Sequence, residues 1–430
     1  MLHTLAHTPR TLRHSLLALT LGTTLLGGQA AMAEGPGPLV MAGGFLQESH
    51  QDVFRAVIDP IDKPASEIRL GVVPAATGNI SGNYAKIVEA FTAIGIAEEN
   101  IRLLPLAMAD DRRTEDVDES QWADNGRDNE LATSIEELDA IWFLGGDQTR
   151  ITAVLLEEDG SDTPVLAAMR EMHARGGVLA GTSAGAAIMS PVMLAGGDSQ
   201  GALFQGFRDD YESMNDQEHG PAIVRQGLGF FEAGLIDQHF DRKARLGRLL
   251  AAMLEHEGGM PLGVGIDEGT ALIVENGEWR VAGGGGITLV DLSDATRPGE
   301  GFPISVANVR LSYLLPGDLY LPESGEYRPR EGASETIGSE YFEVPVSLQS
   351  GLFSANRNLQ ELVGFDLLDN SATERVESLL IGDEGQALRL VFTQDDQTKG
   401  YWSQDMTLDL YSFEGVRLDL EPLRVELHTP

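Results

Sequence analysis

The chain has 430 residues, of which 42% are hydrophobic and 23% charged, an ordinary globular composition with room for roughly two or three domains. Its formal net charge of −37 excludes nucleic acid and anionic membrane surfaces as expected partners, because both are bound through clustered cations. The chain has no cysteine, which excludes disulfides, a thiolate nucleophile and cysteine-bound metals.

The N-terminus has the pattern of a secretory signal. Arg10 and Arg13 supply positive charge, residues 16–26 are apolar but too few to span a bilayer, and an Ala-Met-Ala triplet ending at Ala33 offers a cleavage site. A retained anchor or a disordered leader is the alternative. We expect cleavage near Ala33 and a secreted or periplasmic mature protein. Removing residues 1–33, which hold two arginines and no acid, would leave a net charge of −39.

The N-terminal half alternates between apolar strands and helices. Continuously apolar strands separated by helices are typical of a parallel sheet covered on both faces, so we predict an α/β fold with a mostly parallel sheet flanked by helices. The acidic stretch 109–130 predicts an exposed insertion, and Ser134 and Glu137 predict a capping box that opens a short helix. The predicted strands are 38–48, 67–78, 100–106, 140–144 and 177–180, and the predicted helices are 81–96 and 163–175.

After residue 260 the pattern changes to short strands without repeats. The stretch 322–340 is rich in Pro, Gly, Ser and charge and is our candidate linker. We therefore divide the mature chain into an α/β domain of residues 34–325 and a β-rich accessory domain of residues 326–430. The predicted strands lie within 262–295 and at 303–313, 387–392, 406–411 and 416–427.

The sequence GTSAGA (181–186) places Ser183 between glycines two residues before and two residues after it. A serine flanked in this way fits a sharp turn from a strand into a helix, where small neighbours let a strained backbone expose the hydroxyl. A Gly/Ser-rich connection without chemistry is the alternative. If Ser183 is a nucleophile, it needs a base to take its proton and a third group to orient that base.

Candidates for the base and the acid lie at the ends of two later apolar runs. His239 follows such a run and precedes a predicted helix, which places it at the carboxyl edge of a sheet, where parallel sheets hold active sites. His219 and His256 lack this placement. Asp267 and Glu268 also end an apolar run, and only one of them should reach His239 because adjacent strand residues point to opposite faces. A structural histidine and a pair of turn acids are the alternatives.

Further candidates would stabilise negative charge. The backbone amide of Ala184, directly after the serine, and that of Gly146 in a Gly-Gly turn could form an oxyanion hole. Arg242, Arg245 and Arg248 are spaced three apart, so on a helix they would share one side and could clamp substrate carboxylates. Ordinary pairing with nearby acids is the alternative.

Together these segments resemble the cyanophycinases, peptidases of the family that also contains the aspartyl dipeptidase called peptidase E. The resemblance covers roughly residues 38–320. It implies a fold like those of peptidase E and the class I glutamine amidotransferases, with a β-rich C-terminal extension beyond it. The matching motifs occur in family order and are FLGGDQTRI (143–151), GTSAGA (181–186), DQHF (237–240), RLGRL (245–249) and GIDEGTA (265–271).

The resemblance also implies residue roles. Ser183 would be the nucleophile, His239 the general base and Glu268 the orienting acid, an order that differs from the one in α/β-hydrolases. A pocket arginine of the family aligns with Lys243, which keeps the charge but lacks the guanidinium fork. The implied substrate-binding residues are Gln148, Asp237, Gln238, Lys243, Arg245 and Arg248.

The implied substrate is cyanophycin, a poly-aspartate backbone whose side-chain carboxylates carry arginine in isopeptide linkage. The implied reaction releases β-Asp-Arg dipeptides from a chain end by a serine exopeptidase that needs no metal or cofactor, and a homodimer is compatible with the resemblance. A hydrolase of small aspartyl or isoaspartyl peptides and a catalytically silent polymer-binding protein remain alternatives. The acidic charge suits solubility, attraction of an arginine-rich polymer or life in high salt, and the sequence does not choose among these.

Overall fold

The computed structural model of the protein describes residues 35–255, 260–346 and 358–426. The predicted signal segment 1–33, His256 and the last residue of the predicted strand 416–427 lie outside these residues. None of the described helices is both long and apolar enough to cross a membrane.

The chain first forms strands and helices in alternation, as the hydrophobic pattern predicts. The predicted helix 163–175 corresponds to α5, which starts at Pro164 and has Thr163 as its N-cap. In chain order these elements are β1 (Leu39–Ala42), α1 (Gln51–Ile58), β2 (Leu70–Val73), α2 (Ile80–Ala93), β3 (Ile101–Leu103), α3 (Asn129–Ile135), β4 (Ala140–Phe143), α4 (Gln148–Leu155), α5 (Pro164–Ala174) and β5 (Val178–Thr182).

The middle of the chain contributes three more helices and the strands that end at the other candidate site residues. These elements are α6 (Ala184–Ala187), β6 (Val192–Gly196), α7 (Ser199–Gln205), β7 (Ile223–Gln226), β8 (Leu235–Gln238), α8 (Leu246–Glu255), β9 (Leu262–Ile266), β10 (Thr270–Glu275), β11 (Glu278–Gly283), β12 (Ile287–Asp291), β13 (Val306–Leu314), β14 (Leu319–Leu321) and β15 (Glu326–Arg328).

The C-terminal part is rich in strands and contains one π-helix, Gln360–Leu368. Its strands are β16 (Ser334–Glu335), β17 (Arg375–Ile381), β18 (Gln386–Thr393), β19 (Lys399–Asp405) and β20 (Leu408–Arg424).

Five parallel strands form one side of the first sheet, in the order β1-β5-β4-β2-β3, with β3 at the edge. Four antiparallel strands continue it beside β1, in the order β10-β11-β14-β15. The register pairs Ala42 with Thr182 and Phe143 with Gly181, so the carboxyl ends of β1, β4 and β5 meet at one edge. Parallel sheets bind their ligands at this edge.

Both faces of the central sheet are buried. Val40 and Ala42 of β1 pack in a cluster with Phe54 of α1 and Phe91 of α2, whereas Met41 belongs to the cluster on the opposite face. This alternation is the two-residue period of a strand, and every position is apolar because helices cover both sides. The predicted α/β class, with a sheet flanked by helices and a strand-rich C-terminal extension, is confirmed.

The second sheet joins the α/β region to the C-terminal strands. Its order is β16-β19-β20-β13-β12-β9-β8, and β17 and β18 attach to β20. Strands β8 and β9 are parallel and lead into His239 and Glu268. Leu249 of α8 and Leu418 of β20 belong to one buried cluster, so the extension packs on the elements that hold these two residues. The division into domains of residues 34–325 and 326–430 stays a prediction.

The predicted capping box at Ser134 and Glu137 is wrong. Helix α3 begins earlier, because the Asp128 carboxylate caps it by accepting hydrogen bonds from backbone amides of the first turn. Ser134 lies near the end of α3, where its Oγ donates to the carbonyl of Leu131 at 2.7 Å. The helix therefore starts within the acidic stretch 109–130 that predicted an exposed insertion.

Two predicted strands near the C-terminus, 406–411 and 416–427, form a single strand, β20. Gly415 adopts a positive φ of 68° at a shift in the pairing of β13 with β20, so the chain passes the bulge without ending the strand. The candidate linker 322–340 is also structured, since it contains β15 and β16. The alternating pattern predicted which residues are in strands. It did not predict that they form one strand, because that depends on pairing with β13, β18 and β19.

Candidate active site

Ser183 stands at the turn between β5 and α6. Its backbone has φ 54° and ψ −111°, a strained conformation for a residue with a side chain. A Cβ on Gly181 would lie 2.3 Å from the carbonyl oxygen of Gly185, and a Cβ on Gly185 would lie 2.4 Å from that of Phe143. The two glycines are therefore required sterically, and the turn has the geometry of a nucleophile elbow.

His239 and Glu268 meet Ser183 at the same edge. The Oγ of Ser183 lies 2.9 Å from Nε2 of His239, and Nδ1 of His239 lies 2.6 Å from Oε1 of Glu268. A carboxylate only accepts hydrogen bonds, so Nδ1 carries the ring proton and Nε2 is free to accept the serine proton. The three side chains form a candidate nucleophile–base–acid triad.

The loop after β1 holds His239 and the residue after Glu268 by backbone hydrogen bonds. The amide of His239 donates to the carbonyl of Gly43 at 2.8 Å, and the amide of Gly269 donates to that of Gly44 at 2.8 Å. A Cβ on Gly44 would lie 2.3 Å from the His239 ring. Only glycine leaves room for the imidazole here. The loop thereby fixes the positions of His239 and of the turn that carries Glu268.

The surroundings of His239 keep its imidazole neutral. Burial is the main cause that lowers its pKa below the usual histidine value, and the charges of Lys243 and Arg245 lower it further. The hydrogen bond and charge of Glu268 act in the opposite direction. A general base must be unprotonated to work, so this environment favours the active form at neutral pH.

Asp267 points away from the triad. Its Oδ2 accepts hydrogen bonds from the hydroxyl of Tyr313 at 2.7 Å and from the amide of Gly286 at 3.1 Å. Burial, with the charge of Asp241, raises its pKa to about 7. Of the two adjacent acids, Glu268 is the one that contacts His239.

Ala184 and Gly146 are the predicted donors of the oxyanion hole. Ala184 is the first residue of α6, so its amide has no partner within the helix. Gly145 and Gly146 follow β4, and a Cβ on Gly145 would lie 3.2 Å from the Cβ of Ser183. Gly146 and Ser183 line the same pocket. The assignment of both amides as oxyanion donors stays a prediction.

Of the predicted substrate-binding residues, Gln238 comes closest to the serine. Its Oε1 lies 3.3 Å from the Oγ of Ser183. Gln148 is buried, with its Nε2 donating to the carbonyls of Leu194 and Ala195 at 2.9 and 3.2 Å. Gln238 can therefore contact a substrate bound at Ser183, while the amide nitrogen of Gln148 is engaged within the protein.

Arg248 and Asp237 form a buried ion pair rather than an open clamp. Both side chains are 1% exposed, and the guanidinium donates to the Asp237 carboxylate at 2.5 and 2.7 Å. It also donates to the carbonyls of Gly197 and Gln217 at 2.7 and 3.2 Å. These contacts make Arg248 a support for the end of β8, which leads to Gln238 and His239. Its predicted role in binding substrate stays a prediction.

The chain turns between His239 and α8, which contradicts the prediction that a helix follows His239 at once. Helix α8 starts at Leu246, so the three arginines do not share one helix face. Arg242 is exposed, whereas Arg245 is 3% exposed and donates to the carbonyl of Gln238 at 2.6 Å. Lys243 lies 2.5 Å from Oε1 of Glu218.

A pocket of about 600 Å³ opens beside the triad. Ser183, His239 and Gly146 line it. Residues of α1, α2 and β4 and residues 45–48 in the loop after β1 complete the lining. The sequence motifs assigned no role to Gly43 and Gly44, which follow β1. Because β1 pairs with β5, this glycine pair reaches the triad.

Residues 35–255, 260–346 and 358–426 contain no group of three or more His, Asp or Glu that could hold a metal ion. That the reaction needs no metal or cofactor stays a prediction.

A serine hydroxyl, an imidazole and a carboxylate at the carboxyl edge of an α/β sheet are the arrangement of a hydrolase with an activated serine. The sequence profile of peptidase family S51 matches residues 39–282, the segment that carries all three side chains. The chain belongs to peptidase family S51, and it is a peptidase.

Similar proteins include three cyanophycinases. That of Trichormus variabilis is 33% identical over 267 residues, which are 60% of this chain and 76% of that protein. That of Synechococcus elongatus is 31% identical over 58% of this chain and 69% of its own length. That of Geminocystis herdmanii is 35% identical over 45% of this chain and 66% of its own length.

Among solved structures, a peptidase from an acI-B1 Actinobacterium is 19% identical, with a TM-score of 0.42 over 67% of this chain and 98% of its own.

The pH dependence of activity should report the His239 environment. We expect the acidic limb of kcat/KM to lie below the usual histidine pKa of about 6.5, with activity rising as His239 loses its proton. Glu268→Gln removes the influence that raises this pKa. It should move the limb to lower pH and reduce kcat by about 10²- to 10⁴-fold, because the tautomer is no longer fixed.

Lys243→Met should move the same limb to higher pH, because the Lys243 charge lowers the pKa of His239. Glu137→Gln is the control, since Glu137 is exposed and precedes β4 at the edge opposite the triad. Identical limbs in the wild type and both site variants would show that His239 is not the titrating base.

Proposed function

We propose that this protein is an exported serine exopeptidase that hydrolyses cyanophycin to β-Asp-Arg dipeptides through Ser183, His239 and Glu268. The observation that carries the proposal is the contact geometry of these three side chains beside a pocket of about 600 Å³. The similarity to proteins named cyanophycinase supports the substrate.

The proposed reaction begins with attack of the Ser183 Oγ on a backbone carbonyl carbon of the poly-aspartate chain. His239 Nε2 takes the hydroxyl proton and later gives it to the leaving amine, while Glu268 stabilises the imidazolium. The amides of Ala184 and Gly146 donate to the oxyanion. Water, activated by His239, then hydrolyses the acyl-enzyme and restores Ser183.

The charge distribution bears on the guanidinium groups of the proposed substrate. The chain has 67 acidic and 30 basic residues, and four of the basic residues are lysines. Each Asp-Arg unit of cyanophycin carries one guanidinium and one free carboxylate, so the acidic surface acts on individual guanidinium groups at close range rather than on a net charge of the polymer, and it does so less at high salt.

Export is part of the proposal and is supported by the signal pattern of residues 1–33. Cyanophycin released by other cells would then be the substrate outside the producing cell. The strand-rich C-terminal part would stabilise the peptidase, because it packs on α8 and pairs with β13.

The test uses protein recovered from outside the producing cells. We expect Glu34 at its N-terminus, and we expect it to release a soluble product with the mass of β-Asp-Arg from insoluble cyanophycin. The same protein is offered aspartyl and isoaspartyl dipeptides. Turnover of these dipeptides with no release from the polymer would replace the polymer proposal with that of a small-peptide hydrolase.

A further inference from the structure

The catalytic pocket contains two charged side chains that the triad does not use. Lys86 lies on α2 and Glu48 lies in the loop after β1, and both line the pocket with Ser183. They come from opposite ends of the segment between β1 and α2, so the fold brings them to one rim. Neither has a partner within 4 Å among the described residues, and no ion pair joins them.

Lys86 is exposed, and its ion pairing differs from that of the other three lysines. Acids outnumber bases more than twofold, so most cationic side chains find a carboxylate. The chain has four lysines, and within the described residues Lys86 alone has no carboxylate partner. The pairs of the other three are Lys63–Asp139, Lys243–Glu218 and Lys399–Glu414.

Helix α2 presents Lys86 on a face directed at the pocket. Asn83, Ile87 and Ala90 occur three to four residues from one another along the helix and line the same pocket. Asn83 is held by a hydrogen bond of 2.9 Å from its Nδ2 to Oγ1 of Thr77. The position of Lys86 on this face is therefore set by a fixed helix.

The loop that carries Glu48 is attached to the catalytic residues. Its first glycines accept hydrogen bonds from the amides of His239 and Gly269. Farther along, the Gln47 amide donates to Nδ1 of His50 at 2.9 Å. A group bound by Glu48 would therefore be held at a defined distance from the triad.

Apolar side chains also line this pocket. Phe45 is 67% exposed and Leu46 lies next to it in the loop after β1, whereas Trp142 is fully buried and out of a ligand's reach. The accessible part of this lining suits a ligand with an aliphatic stem.

We propose that Glu48 and Lys86 are specificity residues that hold one arginyl group of the substrate, an inference that rests on the proposed function. In cyanophycin each arginine is attached through its α-amino group, so it keeps a cationic guanidinium and a free carboxylate. Glu48 binds the guanidinium, Lys86 binds the carboxylate, and the methylene stem lies against Phe45 and Leu46 of the apolar lining. Opposite charges at two ends select arginine over neutral side chains.

The experiment compares three short aspartate oligomers. One carries arginine on its side chains, one carries the uncharged isostere citrulline, and one carries arginine amide, which lacks the carboxylate. We expect Glu48→Gln to lower kcat/KM about tenfold on the arginine substrate, through KM, with no loss on the citrulline substrate. Lys86→Met should lose about tenfold on the arginine substrate and nothing on the amide.

Controls remove equivalent charges elsewhere. Glu99→Gln and Lys63→Met alter exposed or partly exposed side chains outside the pocket and should retain wild-type values on all three substrates. The inference is overturned if the Glu48 and Lys86 variants keep wild-type kcat/KM, or if each loses the same factor on all three substrates. A wild-type enzyme that cleaves none of the three oligomers would instead overturn the proposed function.

Discussion

Ser183→Ala is expected to lower kcat on cyanophycin by at least about 10⁴-fold while leaving the fold intact. The hydroxyl lies 2.9 Å from His239 Nε2 and is the nucleophile in the proposed reaction. Removing it leaves the pocket and the amides of the oxyanion site in place, so only slow background hydrolysis remains. Product mass and rate, measured on the same polymer preparation, report the loss.

The control is Ser161→Ala, which removes a hydroxyl from an exposed loop. It should keep wild-type activity and thermal stability. A serine-reactive phosphonate should label wild type at Ser183 and leave Ser183→Ala unlabelled. Full activity in a folded Ser183→Ala protein would end the serine-peptidase proposal, and a protein that takes no label would favour the polymer-binding alternative.

The sequence predicted those parts of the site that depend on local geometry. The spacing of Gly181 and Gly185 around Ser183 predicts a sharp turn, because a Cβ at either glycine would collide with a neighbouring carbonyl. The end of an apolar run located His239 at a sheet edge, since strand order brings such ends together. Of the two acids near His239, Glu268 makes the contact, and both acids lie beyond the last residue of β9, Ile266, where strand alternation no longer applies.

The other parts of the site depend on tertiary contacts, which the spacing of residues along the sequence does not predict. Lys86 and the loop residue Glu48 reach the pocket because β1 lies beside β5 and α2 shares a buried cluster with both strands. Arg245 is buried because a turn of six residues separates His239 from α8. A helix starting at once would have exposed the arginines in a row, and the turn is held by a hydrogen bond from the Lys243 amide to the His239 carbonyl.

The largest expected effect on stability comes from the buried ion pair between Arg248 and Asp237. Arg248→Met should reduce the free energy of unfolding by up to about 3–5 kcal/mol, because the buried Asp237 carboxylate loses both hydrogen bonds from the Arg248 guanidinium and keeps only the longer ion pair with Arg245, at 3.6 Å. The carbonyls of Gly197 and Gln217 also lose their donor. Urea unfolding followed by tryptophan fluorescence gives the difference.

Two further variants separate a support from a substrate ligand. Arg242→Met removes the same charge from an exposed position and should change stability by less than about 0.5 kcal/mol. Replacing both partners, Asp237→Leu with Arg248→Met, should recover part of the loss, because the buried carboxylate is removed and Arg245 keeps its ion pair with Glu218 at 3.6 Å. If Arg248→Met instead unfolds like wild type and only raises KM, the guanidinium binds substrate, as the family resemblance implies. The Asp237 pair would then be a resting contact that substrate displaces.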